Sequence, residues 1–192
     1  MRISKVLSFV LLFASVSASA QNVQNSFFGY KLGSTVSVEK IDETIVTEYS
    51  RGLTYVNENP MLIGTANNLN YAGCKWDNTN VIIFKPDMKF FAVEFIVTGD
   101  ITTSLKNRYE DLLKSLTEKY GEPEEVKRNC QRWAGKNGVS VELEYTIFVP
   151  LPAEEKEALK EQGEEVPFHR VTLGYWDTKT EAQIKKYNQS QL

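Results

Sequence analysis

Two glutamates on one short segment are the residues best placed for acid–base chemistry. Glu142 and Glu144 stand two positions apart in the run Val139 to Ile147, where apolar and polar residues alternate. Such alternation predicts a half-buried β-strand whose successive side chains point to opposite faces. Both carboxylates would then share one face, at a spacing that could serve a carboxylate pair or a calcium ion. The same pattern is typical of an ordinary solvated strand face, so the pair supports only an alternative hypothesis.

A nucleophilic mechanism has less support. His169 is the single histidine, and its strand parity with Val171 and Leu173 predicts a hydrogen-bonded residue at the edge of the core rather than a general base. No serine lies in a nucleophile-elbow motif beside it. Two cysteines and one histidine also lack the spacing of a zinc ligand set. The sequence thus predicts no catalytic residue, no cofactor and no metal site.

The N-terminus has the pattern of a secretory signal peptide. Residues 1–20 combine a basic start, an apolar run and Ala18-Ser19-Ala20 before Gln21, which satisfies the small-x-small cleavage rule. The apolar run is too short to span a bilayer as a stable helix, and no cysteine follows the cleavage site to take a lipid. We therefore expect a single exported domain over 21–192, periplasmic or extracellular, without a membrane anchor.

The charge balance limits the class of partner. Two of the 22 basic residues lie in the signal-peptide segment, so the mature chain would carry 20 basic against 25 acidic side chains. A mildly acidic protein without a basic stripe is poorly suited to neutralise phosphates. Nucleic acid and anionic membrane surfaces are therefore not expected as main partners.

Cys74 and Cys130 are the two cysteines of the chain. In an oxidising compartment such a pair predicts a disulfide. The bridge would close a long loop and stabilise the fold by roughly 3 to 4 kcal/mol on the chain-entropy argument. Two separate buried thiols are the alternative.

Apolar periodicity predicts an α+β fold in which helices alternate with antiparallel meanders. One apolar stripe predicts a helix over about 35–50, and a second stripe, ended by Gly121 and Pro123, predicts a helix over about 100–120. Thr178 to Glu181 form a capping box before a C-terminal helix of about 178–190. Runs of β-forming residues predict strands over about 53–56, 61–66, 69–76, 81–85, 90–97, 126–134, 139–147 and 166–176, with a turn over 77–80.

Both halves of the chain show the same order of elements, which predicts two tandem repeats with their helices on one face of a shared sheet. Repeat one covers 27–98 and repeat two covers 100–176. Cys74 precedes Trp76 much as Cys130 precedes Trp133, so the two cysteines would lie at matching places. The strands that carry them would then lie close together, since a disulfide needs Cα atoms within about 7 Å.

Three local motifs resemble those of a group of small secreted bacterial proteins with no assigned activity: Asn70 to Asp77, Lys119 to Pro123, and Leu173 to Asp177. The tandem order of helix and sheet also resembles the architecture of the β-lactamase inhibitor protein and of small outer-membrane assembly lipoproteins. These resemblances imply a fold and carry no function with them. The lipid-attachment cysteine of the lipoproteins is missing here, and no inhibitory residue can be matched.

Aromatic residues indicate a binding surface. Phe90, Phe148 and Trp176 have the strand parity opposite to that of the core set, which predicts that they project from the sheet face that the helices leave open. Exposed aromatics on a rigid sheet are typical of protein or glycan binding surfaces. A further layer, such as the C-terminal helix, could instead cover them. The acidic segment 151–167 is expected to be a solvated excursion, or an arm that docks a basic partner.

Two functions follow from these patterns. The main hypothesis is an exported, non-enzymatic binding module that engages an envelope or extracellular protein through a sheet face. The alternative is a carboxylate-dependent hydrolase or glycan-active enzyme with its centre near Glu142 and Glu144.

Overall fold

The protein is an α+β domain in which helices pack on an eight-stranded antiparallel sheet. The computed structural model describes residues 22–99, 102–147 and 169–191. The signal peptide predicted over 1–20, Phe148 and the acidic segment 151–167 lie outside the described residues.

The described elements follow the chain in this order: β1 Ser26–Phe27, β2 Tyr30–Lys31, α1 Val38–Tyr49, β3 Thr54–Glu58, β4 Met61–Tyr71, β5 Cys74–Phe84, β6 Lys89–Gly99, α2 Thr102–Tyr120, β7 Glu124–Lys127, β8 Cys130–Ala134, β9 Val139–Ile147, β10 His169–Asp177 and α3 Thr178–Ser190. The main sheet has the order β3-β4-β5-β6-β10-β9-β8-β7, and β1 with β2 forms a separate two-stranded hairpin. The last strand of the chain therefore lies in the middle of the sheet.

Capping residues mark both ends of α1 and the start of α3. Ser37 caps α1 by accepting a hydrogen bond from the Lys40 amide, and Ser50 ends the helix in the left-handed region. The Asp177 carboxylate caps α3, accepting from the Thr180 amide at 2.8 Å. The apolar stripe of α1 places Ile41 and Ile45 in the core, as the periodicity predicts.

The two faces of the sheet are covered differently. Helices α1 and α2 bury one face in the main core, where α2 contacts β6, β9 and β10. Helix α3 packs on the opposite face, against β6 and β10. We call the face opposite α1 and α2 the outer face. Alternation in β9 sends Val141 and Leu143 to the core and Glu142 and Glu144 to the outer face.

The first meander turns at a different place from the one that the sequence predicts. The chain reverses at Ala72 and Gly73, whose φ angles are 52° and 76°, between strands β4 and β5 that pair from Met61↔Phe84 to Tyr71↔Cys74. Two successive residues with positive φ make the type of turn that matches the twist of a tight hairpin. The predicted turn over 77–80 is therefore wrong, and those polar residues belong to the middle of β5.

Among the helices of the described residues, none is long and apolar enough to cross a membrane.

Candidate functional site

The outer face divides into two halves of different chemistry. Its apolar half lies under α3, where Ile184 and Tyr187 of the helix pack over the sheet. The members that this half takes from the strands are Met61, Ile63, Ile82, Phe84, Phe91, Ala92 and Trp176. Its polar half is formed by β8, β9 and β10. The residues of these strands that face this side are Cys130, which is buried, and Arg132, Glu142, Glu144 and Thr172. Trp176 lies where the two halves meet.

A row of polar side chains crosses the outer face in register. Thr65 donates to Asn80 at 2.9 Å, and the Asn80 amide donates to Glu94 at 3.0 Å. Strand pairing continues this row from Glu94 to Gly174 and from Gly174 to Glu142. The row then passes from Glu142 to Arg132 and ends at Glu124 of β7. Directly opposed residues on adjacent antiparallel strands have neighbouring side chains, so the row consists of two polar segments, one on β4, β5 and β6 and one on β9, β8 and β7. They are separated at Gly174, which the ring of Trp176 covers.

Both glutamates of the predicted carboxylate pair are held by cations. Arg132 contacts Glu142 through both its Nε and a terminal nitrogen, and Lys127 Nζ lies 2.8 Å from a Glu144 oxygen. The Glu144 carboxylate raises the pKa of Lys127, first by its hydrogen bond and then by its charge. Each glutamate of the pair is thus engaged by a basic side chain of a neighbouring strand.

Trp176 lies on the outer face, at the position that its parity predicts. Its indole ring lies across Gly174: a Cβ placed on that glycine would come 2.2 Å from the ring. The ring is partly buried and packs against the apolar half. That buried cluster includes Ile184 of the C-terminal helix.

Phe90 does not project from the outer face, and the prediction of its exposure is wrong. Its side chain is 0% exposed in the main core, while Phe91 and Ala92 both belong to the apolar half. The cause is a β-bulge: the pairing of β5 with β6 passes from Ile82↔Ala92 to Ile83↔Phe90 and skips Phe91. One extra residue reverses the parity of the strand beyond it, so Phe90 returns to the core side.

Phe148 cannot be placed with these residues because it lies outside the described part of the chain. Of the three aromatics predicted for the binding surface, the structure therefore places Trp176 on the outer face and Phe90 inside the core.

The predicted disulfide is also wrong, because Cys74 and Cys130 are free thiols. Cys74 begins β5 and Cys130 begins β8, and three strands, β6, β10 and β9, lie between these two. Four strand spacings separate them by about 19 Å along the sheet, well beyond the reach of a bridge. Cys130 is 1% exposed, and its Sγ lies 3.9 Å from Glu142. Burial, and then the nearby Glu142 carboxylate, raises the pKa of its thiol.

His169 has the role predicted for it at the edge of the core. The Tyr145 hydroxyl hydrogen-bonds to its Nδ1 at 3.1 Å, and the two rings stack with an interplanar angle of 13°. Tyr145 itself is buried. The histidine is thus tied to a core tyrosine on the face opposite Glu142 and Glu144.

A pocket of about 480 Å³ opens at the start of α3, away from the carboxylate pair. Its described lining includes Asp177, Lys31, Lys89 and Lys179, and includes neither Glu142 nor Glu144. Asp177 is engaged by Thr180, which donates to it from both its amide and its hydroxyl. Within 22–99, 102–147 and 169–191, no group of three or more histidine, cysteine, aspartate or glutamate side chains is placed to hold a metal ion.

Sequence reasoning missed three residues of the outer face. Arg132 and Lys127 neutralise the glutamates, and neither was identified because their partners depend on the pairing of β7, β8 and β9. Gly174 did give a local signal, since an isolated glycine inside a strand often marks a close approach of another group. Here that group is the ring of Trp176.

Comparison of the chain with protein-family models, with curated proteins and with solved structures gave no match.

Proposed function

We propose that this protein is an exported, non-enzymatic module that binds an envelope or extracellular protein through the outer face of its sheet. The contact surface is the polar half, together with the edge of Trp176. Cofactors and catalytic residues have no part in this function.

The observation that carries the proposal is the polar row beside an aromatic ring on a rigid sheet. Arg132 pairs with Glu142, Lys127 pairs with Glu144, and strand register aligns the two pairs, so their charges are presented in a defined pattern. Arginine and tryptophan are enriched among the residues that dominate protein–protein binding energy. A fixed pattern of opposite charges favours selection among partners more than raw affinity.

The hydrolase alternative is less well supported by the same geometry. A retaining or inverting glycosidase needs one carboxyl group that donates a proton, whereas Glu142 and Glu144 each contact a cation. Replacing both by glutamine should leave any ligand turnover by the protein unchanged. Loss of such turnover in the double variant, with the fold intact by circular dichroism, would favour the enzyme.

The proposal is tested by comparing variants on opposite faces of the sheet. Arg132→Ala and Trp176→Ala alter the proposed surface, and Lys114→Ala removes an exposed lysine from α2 on the other side. Each mature variant would be used as bait against envelope extracts, and the retained protein would then be purified and its Kd measured. We expect Kd to rise more than tenfold for both surface variants, by the usual cost of losing a central contact, and to stay constant for Lys114→Ala. Equal Kd values for all three baits would contradict the proposal.

We also propose that the two halves of the chain are tandem repeats. The supporting observation is the order of the elements: α1 precedes β3 to β6, α2 precedes β7 to β10, and the two sets occupy the sheet in mirror order about the β6–β10 pair. In this alignment β5 corresponds to β9, while Cys130 and Trp133 belong to β8. In this alignment the two Cys–Trp motifs do not occupy equivalent strands, unlike the matching that the sequence predicts.

A further inference from the structure

The two edges of the sheet are protected to different degrees. Edge strand β7 carries Glu124, Glu125 and Lys127, and its register with β8 shifts between Glu125 and Lys127. Charges and bulges on an edge strand discourage the addition of another strand. Edge strand β3 pairs with β4 over five residues without a shift and carries one charged residue, Glu58. The β3 edge therefore has fewer of these protections.

Side chains on both faces of the sheet flank the edge of β3, and we call this edge with its two flanking walls the groove. On the outer face, Val56 is 51% exposed beside its partner Ile63 of the apolar half. On the other face, helix α1 runs along the strand: the Tyr55 hydroxyl contacts the Val38 carbonyl oxygen at 3.5 Å, and Asp42 accepts a hydrogen bond from the Leu53 amide at 2.9 Å.

The wall formed by α1 is apolar and acidic. Helical spacing places Val46, which is 49% exposed, one turn beyond Asp42 and two turns beyond Glu39 on the same flank. The charges of Asp42 and Glu39 both reach Tyr55, since they add to the effect of burial that raises the pKa of this tyrosine to about 12. This flank of α1 therefore presents negative charge along the groove.

Two basic residues near the ends of β3 are held by hydrogen bonds to neutral groups, which fix their positions and leave their charges in place. Lys85 Nζ donates to the Asn57 side chain at 2.5 Å, and Arg51 donates to the backbone carbonyls of Asn68 and Ser50.

We propose that β3 accepts an extended segment of a partner protein as a ninth strand, with basic side chains of that segment facing Glu39 and Asp42 and an apolar side chain facing Val56. Addition of a strand to a sheet edge obtains affinity from main-chain hydrogen bonds and specificity from alternate side chains. The inference adds a second contact to the proposed binding module and depends on that function only for the kind of partner.

A second copy of this chain fits the edge less well. Two copies paired through β3 would bring two α1 flanks, each with Glu39 and Asp42, to the same side of the joined sheets. Juxtaposed like charges disfavour association. A basic segment meets this surface with complementary charge instead.

The test uses a synthetic peptide as the probe and keeps the whole mature protein. A fluorescein-labelled, eight-residue peptide of alternating lysine and valine would be titrated by fluorescence anisotropy. The comparison peptides alternate glutamate and valine, or repeat the first sequence with alternate backbone nitrogens methylated so that they cannot donate. We expect saturable binding of the lysine peptide, and at least tenfold weaker binding of both comparison peptides.

Two exposed valines provide matched variants. Val56→Lys should weaken binding of the lysine peptide about tenfold, because it removes an apolar contact and adds like charge. Val126→Lys makes the same change on the β7 edge, where valine is 47% exposed, and should leave Kd unchanged. Amide hydrogen exchange in Thr54–Glu58 should slow on peptide binding. Equal weakening by both substitutions, or absence of saturable binding, would overturn the inference.

Two further results separate this inference from the proposed function. Trp176→Ala should leave peptide binding unchanged while it weakens binding of the envelope partner. If Val56→Lys instead abolished a dimer seen by analytical ultracentrifugation, the occupant would be a second copy and the inference would fail. Loss of partner binding in Arg132→Ala alone would concern only the outer face.

Discussion

The apolar and polar halves of the outer face share strand β10 but differ in what they contribute. In the apolar half, α3 covers Ile82, Phe84 and Phe91, so this half stabilises the fold. In the polar half, the side chains of Arg132 and Glu144 stay 36% and 29% exposed and are satisfied by ion pairs. Exposed ion pairs contribute little to stability. The apolar half therefore holds α3 in place, whereas the polar half contributes little to stability and suits recognition of a partner.

The largest effect expected from this comparison is in the apolar half. Phe91→Ala should lower the free energy of unfolding by about 3 to 5 kcal/mol, because it removes a buried ring and leaves a cavity. Thr172→Ala, in the polar half, should change it by less than about 0.5 kcal/mol, as is usual for a surface site. Urea denaturation measures both. Similar losses for the two variants would show that the halves do not differ in this way.

A smaller effect is expected where the two halves meet. Gly174→Ala should cost about 1 to 3 kcal/mol, since the new methyl group would displace the Trp176 ring from its place in the apolar half. Gly52→Ala is the matched control, because a Cβ at Gly52 meets nothing within 4 Å. The same denaturation experiment measures the difference. A neutral Gly174→Ala would mean that the indole ring moves aside freely.

The ion pairs of the polar half should contribute less still. Arg132→Ala should lower the free energy of unfolding by less than about 1 kcal/mol at low salt, and the loss should shrink as salt is added, because the pair is partly exposed. A loss of several kcal/mol that salt does not change would indicate a buried structural pair. The polar half would then not be the free recognition surface that we propose.

The smallest expected effect is a difference in thiol reactivity, which does not involve the free energy of unfolding. Cys130 lies 1% exposed beneath the polar half, and its raised thiol pKa leaves less thiolate at a given pH. A thiol reagent should therefore modify Cys74 about tenfold faster than Cys130 at pH 8. The rate at Cys130 should rise as the pH is raised, and Arg132→Ala should speed it by opening the cover. A chain in which neither cysteine reacts until it is reduced would contain the disulfide after all.

Local patterns in the sequence were sufficient for the elements that depend on local chemistry. The alternation of Val139 to Ile147 predicted strand β9 with its bounds and its faces. The capping box of Thr178 to Glu181 predicted the extent of α3, although the residue that caps the helix is Asp177, one position earlier. Both elements depend on residues close in the chain. Strand β9 depends on the alternation of its side chains, and α3 depends on a capping side chain at its N-terminus.

Features that depend on strand pairing could not be obtained in this way. The bulge at Phe91 reversed the exposure expected of Phe90, and the hairpin at Ala72 and Gly73 displaced the predicted turn. The separation of Cys74 from Cys130 likewise follows from sheet order, which no local pattern records. The candidate site was therefore identified through Glu142, Glu144 and Trp176, while the cations that define its chemistry emerged only from the pairing of β7, β8 and β9.

The place of β10 also has a consequence for how the domain forms. This strand is the last strand of the sheet along the chain and lies between β6 and β9. The strands β3 to β6 and β7 to β9 therefore cannot join into one sheet until residues 169–177 are synthesised. Pairings so distant in sequence are slow to form, and until they form, β6 and β9 each present an open edge to other chains. Synthesis of the C-terminal segment is thus the step that commits the nascent polypeptide to its native sheet and ends its exposure to misassembly.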